Sequence, residues 1–135
     1  MRNINNVILD TNILVFALWS KDGNPAKIVS MMLAGKIINY YSDETLEEYK
    51  DVLFRDKFVD KFSYTALDEL MNYITKFGQK VIACKSDISL IDEDDRVFYD
   101  LAKTANAYLV TGNIKHYPNE DFIVAPSEFL RYREQ

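Results

Sequence analysis

A chain of 135 residues, 48% of them apolar and one a cysteine, is sized for a single compact domain over residues 1–135, with a core that needs no disulfide staple. Cys84 can form no internal bridge, which points to a reducing, cytoplasmic setting, and no run approaches the roughly 20 apolar residues of a bilayer span. The net charge of −5 argues against a protein that grips nucleic acid mainly through a broad basic face. It leaves room for an acidic pocket that divalent cations make attractive to phosphate.

The predicted elements alternate. Val7-Ile8-Leu9 is a continuous apolar run, as expected of a strand buried on both faces. Asp10-Thr11-Asn12 follows, then a helical stretch from Ile13 to Trp19. Gly23-Asn24-Pro25 forms a turn, with Pro25 suited to open a helix through Ile28, Met32 and Leu33. Gly35 closes that helix. Ile37 to Tyr41 is a second strand. Ser42 caps the next helix, which carries Leu46, Tyr49 and Leu53, with Asp43 and Glu44 in its first turn. Another helix spans Tyr64 to Phe77 and ends at Gly78.

Lys80 to Ala83 is a third strand, and Cys84 at its end is expected to pack inertly. The acidic run Asp92 to Asp95 opens a helix with the stripe Val97, Phe98, Leu101, Ala102 and Ala105. Tyr108-Leu109-Val110 is a fourth strand, ended by Thr111-Gly112-Asn113. Phe122 to Val124 is a short fifth, and Pro126 to Arg133 a last short helix. Strands alternating with helices imply an α/β fold: a three-layer α/β/α arrangement around a mostly parallel sheet of four to five strands. Such sheets place their ligand site beyond the strand carboxyl ends, where the strand order reverses.

Several acids fall at that edge. Asp10 ends the first strand; it either caps the following helix or sits in a pocket that binds a cation. Glu48 flanks the apolar stripe of its helix, while Glu47 points to solvent. Asp95 shares a face with Phe98 and Ala102, whereas Asp100 points away and is expected at the surface. Asp94 is either a helix cap or a further acid of the pocket. Asn113 offers a neutral oxygen just past a strand. Three carboxylates converging without basic partners would repel one another, and a divalent cation would relieve that repulsion. All-oxygen ligands suit Mg²⁺ or Mn²⁺, and there is no Cys/His cluster for zinc.

Taken in order, these segments resemble the motifs of PIN domains. Val7-Ile8-Leu9-Asp10-Thr11-Asn12 resembles the opening motif, and Ser42 to Tyr49 with Val52 to Arg55 the second. Asp92 to Ala102 resembles the third, and Leu109 to Asn113 the fourth. The ending Thr-Gly-Asn-x-Lys-His-Tyr is most similar to the VapC-related toxin group. The resemblance implies a Mg²⁺- or Mn²⁺-dependent endoribonuclease acting on single-stranded RNA, with a cognate antitoxin and a homodimeric state. It places Asp10, Glu48 and Asp95 on the family's acidic metal ligands and Thr111 on its supporting polar residue. Asn12, Asp94 and Asn113 are further candidates for support, and Arg55, Lys115 and His116 for contact with RNA.

The fourth motif departs from the family pattern: Asn113 and His116 stand where acids are frequent, which puts a second metal in doubt. A PIN fold that binds RNA or protein without cutting, and a PIN nuclease of RNA processing, are the competing readings. A phosphoacceptor receiver domain fits less well, because Lys85-Ser86-Asp87 is a poor acceptor segment and Glu48 would have no role.

Overall fold

The computed structural model describes residues 2–135. Five parallel strands form one sheet in the order β3-β2-β1-β4-β5: β1 Asn6–Leu9, β2 Ile38–Tyr41, β3 Gln79–Lys80, β4 Tyr108–Val110 and β5 Ile123–Val124. The described residues also form seven α-helices: α1 Thr11–Trp19, α2 Asn24–Leu33, α3 Asp43–Leu53, α4 Asp56–Phe62, α5 Tyr64–Phe77, α6 Arg96–Ala105 and α7 Pro126–Arg133. The result is an α/β/α fold of the expected class.

β1 is the central strand, and Val7, Ile8 and Leu9 have no solvent exposure. That is why its sequence is continuously apolar rather than alternating. α6 packs on β1, β2 and β4, and its side carries Phe98, Leu101 and Ala102 into the core. α1 packs on β1 and α2, and α5 on β2, β2's neighbour α3 and the small helix α4. Tyr49 on α3 donates its hydroxyl to the Leu9 carbonyl, which locks α3 to the carboxyl end of β1.

The local signals act largely as expected. Pro25 opens α2. Ser42 and Thr45 exchange two bonds across the start of α3: Thr45 N–H donates to Ser42 Oγ at 3.2 Å, and Ser42 N–H to Thr45 Oγ1 at 2.9 Å. Asn106, at φ 53°, ends α6 in the left-handed conformation that Asn tolerates.

Two local expectations fail, and one helix has no counterpart in the sequence reading. The third strand is Gln79–Lys80, not Lys80 to Ala83: the last ladder bond is Val81 N–H to the Tyr41 carbonyl at 2.8 Å, after which the chain leaves the sheet. Beyond it the chain runs extended, with Val81 and Ala83 half-buried and Ile82 and Cys84 exposed. Cys84 is thus a surface residue, not an inert core one, because it falls on the outward phase of that alternation. Finally, residues 56–62 form α4, a helix whose seven residues give too little periodicity to read.

Gly78 joins α5 to β3 with extended backbone, φ −79° and ψ 175°, so it is not required for a left-handed turn. It is required for space. A Cβ there would come within 2.6 Å of the Asn39 carbonyl and press on the Ile74 carbonyl. Both obstacles are backbone and cannot swing aside. Gly78→Ala is therefore expected to lower stability by about 1–3 kcal/mol, read as a fall in the urea midpoint at unchanged slope. A midpoint equal to that of the parent protein would contradict the close approach.

Candidate metal and nucleic-acid site

The strand order reverses between β1 and β4: the chain steps outward from β1 through β2 to β3, then returns to lay β4 and β5 on the other side. The crevice beyond these two strands is where a doubly wound sheet binds its ligand. Leu9 lies opposite Val110 in the ladder, and Asp10 N–H donates to the Val110 carbonyl at 3.0 Å. The next residues, Asp10 and Thr111, therefore emerge side by side. Thr111 Oγ1 donates to Asp10 Oδ2 at 2.8 Å.

Asp10 occupies the capping position of α1, yet its side chain makes no cap bond. Its carboxylate is turned into the crevice instead. It is 5% exposed, and burial raises its pKa above the ordinary value despite the hydroxyls it accepts. Tyr117 supplies the second, donating to the same Oδ2 at 2.9 Å. Burial and the neighbouring Asp10 and Asp95 push the Tyr117 phenol pKa upward, so it remains a donor. Asn12 accepts from Gly112 N–H at 2.8 Å, and Asn113 N–H donates to Thr111 Oγ1 at 3.0 Å. The loop after β4 is thus pinned to the start of α1.

The other acids approach from two helices. Asp95 closes a 3₁₀ turn, Glu93–Asp95, that leads into α6. Its side chain is 17% exposed, and its Oδ2 lies 3.5 Å from His116 Nδ1 with no hydrogen-bond partner. Burial, then the charges of Asp10 and Asp92, push the Asp95 pKa up to about 6, with His116 opposing. Glu48 is half-buried while Glu47 is exposed, as their helix phases require. Burial raises the Glu48 pKa, with Asp94, Asp51 and Asp10 adding to it and Arg55 opposing. Asp94 itself is exposed, and the capping role at this turn belongs to Asp92, whose Oδ1 accepts from Asp94 N–H at 3.0 Å. Asn113, Lys115, His116 and Arg55 all stand exposed around the crevice.

Two residues of the site have no counterpart among the expected ones. Tyr117 lies seven positions beyond β4, and only its place after Lys115-His116 hinted at it. Arg96 follows Asp95 directly. Its guanidinium takes Glu93 through Nε at 2.7 Å and Ser86 through Nη1 at 2.9 Å and 2.8 Å, and reaches the Ile88 carbonyl. It thereby ties the irregular segment after β3 to the acidic turn. Glu93 three residues before an arginine was the available signal.

Asp100 is a correction. It is 4% exposed rather than on the surface, and its Oδ1 has no partner. α6 is embedded from Phe98 to Ala102 without an outward phase, because α3, the sheet and the segment after β3 surround it. Asp100 lines a cavity of about 190 Å³ together with Ser42, Lys85, Arg96 and Val97.

Whether the crevice suits a divalent cation rests on its donors. They are carboxylate oxygens, and one, Asp95 Oδ2, is buried with no hydrogen bond. An orphaned anionic oxygen beside a second buried carboxylate fits a hard cation. Among the described residues no three His, Cys, Asp or Glu side chains are grouped closely enough to hold an ion together. Mg²⁺ commonly uses one or two carboxylates and completes its shell with water. Asp10 and Asp95 meet that need, with Glu48 further out.

A family model described as "PIN domain" matches residues 6–115, well over half of the chain. An uncharacterized protein of the archaeon Methanocaldococcus jannaschii is 27% identical over 118 residues, covering 79% of this chain and 70% of that protein. No solved structure matches.

The crowding of Asp95 sets a pH dependence. Its folded pKa, about 6, lies above the ordinary 3.8, so the folded state favours the protonated acid. The stability this confers is complete below the ordinary value and lost as pH rises through about 6. In EDTA, Asp95→Asn should therefore gain in Tm relative to the parent protein between about pH 4 and pH 7. Calorimetry at each pH measures the difference, and a flat profile would mean that Asp95 is not held above its ordinary pKa.

Proposed function

Because the chain belongs to the PIN-domain family, whose members are generally nucleases, we propose that it is a Mg²⁺- or Mn²⁺-dependent endoribonuclease that cleaves single-stranded RNA. The observation that carries this reading is the pairing of a buried and a half-buried acid at the strand-order reversal. Asp10 is fixed by two hydroxyl donors, and Asp95 beside it keeps an oxygen free of hydrogen bonds.

Asp10 and Asp95 would hold the cation, with Glu48 reaching it directly or through water. A bound divalent cation supplies Lewis acidity toward a phosphodiester and neutralises the acidic crevice. The chain's own residues supply placement. Thr111 and Tyr117 both donate to Asp10 Oδ2 and fix the carboxylate at the end of β1. Asn12 and Asn113 hold Thr111 in that orientation. Arg55, Lys115 and His116, exposed at the rim, are placed to meet phosphate oxygens.

Resemblance to the VapC-related group supports a narrower role: a toxin restrained by a cognate antitoxin and acting as a homodimer in the cytoplasm. A short neighbouring reading frame for a DNA-binding protein would support that role, and its absence would favour RNA processing. A non-cleaving PIN module draws support from the altered fourth motif, where Asn113 and His116 stand in place of acids.

The deciding assay is cleavage of a labelled single-stranded RNA with Mg²⁺ or Mn²⁺. Cleavage is expected with either ion, to cease in EDTA, and to fall to background in Asp10→Asn with the thermal transition retained. Full activity in that variant refutes the assignment. A metal-dependent rise in Tm without any cleavage would transfer the protein to the binding reading.

A further inference from the structure

Helix α1 is apolar nearly all round. Ile13 and Leu14 face the core, yet Phe16 is 47% and Trp19 45% exposed. A helix with one buried face normally turns polar residues outward, so folding alone does not account for these rings. Asn12, Phe16 and Trp19 recur at i, i+4 and i+7 and form one line along the helix.

That line begins at the acidic crevice. Asn12 holds Gly112 N–H, and the Phe16 ring lies over the same glycine, where a Cβ would come within 2.9 Å of Phe16 Cε2. The absence of a side chain at Gly112 is what lets the ring rest against the loop that positions Thr111 and Asp10. The line ends at Trp19, propped by Phe58 at 5.8 Å and Phe62 at 5.5 Å between ring centroids. Lys61 Nζ lies over one face of the Trp19 ring, 4.0 Å from its centre, so a base stacks on the opposite face or displaces this flexible side chain; Lys57, one turn earlier on α4, stands by Phe58. Asp56 and Asp60 lie about 100° round α4 from these lysines.

We propose that Phe16 and Trp19 form a stacking ledge for unpaired bases of a single-stranded RNA leaving the crevice, with Lys57 and Lys61 meeting its phosphates. The proposal rests on the nucleic-acid reading of the site but not on cleavage. Flat faces beside ammonium groups suit a strand whose bases are free, because every base offers a π-face and every link a charge. A duplex keeps its bases stacked inside and cannot use the ledge. The ledge also meets the need created by a chain of net charge −5, which has no broad basic face to hold RNA. Here two lysines stand beside the aromatic rings, with Asp56 and Asp60 turned about 100° away.

Trp19 is the sole tryptophan, so intrinsic fluorescence reports on the ledge alone. The experiment titrates the protein in EDTA with an oligouridylate about a dozen nucleotides long, a length within the usual footprint of such surfaces. Saturable quenching is expected, with none from the same strand presented as an RNA duplex. Phe16→Ala should weaken binding about 5- to 150-fold, while Phe16→Tyr retains it. Circular dichroism of both variants should match the parent, with Tm lowered by only a few degrees in Phe16→Ala, since about half of the ring is buried.

Asp10→Asn should keep the quench even where cleavage is lost, so failure of the catalytic reading is separable from failure of the ledge. Absence of quenching, equal quenching by duplex, or unchanged affinity in Phe16→Ala each overturns the proposal. So does a concentration-dependent blue shift of Trp19 emission without RNA, which would identify a second copy of the chain as the occupant.

Discussion

The alignment of β1 against β4 is the constraint on which the crevice depends. Leu9 opposite Val110 brings two residues a hundred positions apart in the chain to the same level, so that an aspartate and a threonine leave the sheet together. A register slip of one residue would turn each side chain to the other face of the sheet. The slip is opposed by close packing on both faces of β1, since Val7, Ile8 and Leu9 are fully buried and each would be forced into a space shaped by a different neighbour. Core packing thus sets the geometry of a polar site that contributes little to the core itself.

A second constraint is electrostatic. Burial raises the pKa values of Asp10, Asp95 and Glu48, and the charge of Asp10 adds to the rise at Asp95 and at Glu48. The chain does not answer with arginine or lysine inside the crevice. It answers with neutral hydroxyls from Thr111 and Tyr117, which stabilise a carboxylate without neutralising it. The one nearby ring that can carry charge, His116, is half exposed and sits 3.5 Å from Asp95. The crevice is thereby left negative, a condition suited to binding a cation.

Much of this was legible in the sequence, for identifiable reasons. The apolar run of β1, the cap at Ser42, and the opposed phases of Glu47 and Glu48 are local signals, and the structure agrees with each of them. The strand-helix alternation led to the parallel sheet by general rules of connection. Tyr117 was hidden because its partner is Asp10, 107 residues away, and no periodicity encodes that contact. Asp100 was misplaced because the outward phase of a helix is defined by what covers it, here an irregular segment with no pattern of its own. Cys84 and the end of β3 were misjudged together: an apolar run reads alike whether it pairs within a sheet or merely leans on it.

The two rims of the sheet share a further property. β3 and β5 are each two residues long, and the chain departs from the sheet on both sides as soon as the ladder has closed. A long flat rim would offer a row of unsatisfied amides to any neighbouring strand. These rims offer almost none, so the fold gives intermolecular cross-strand growth little to start from.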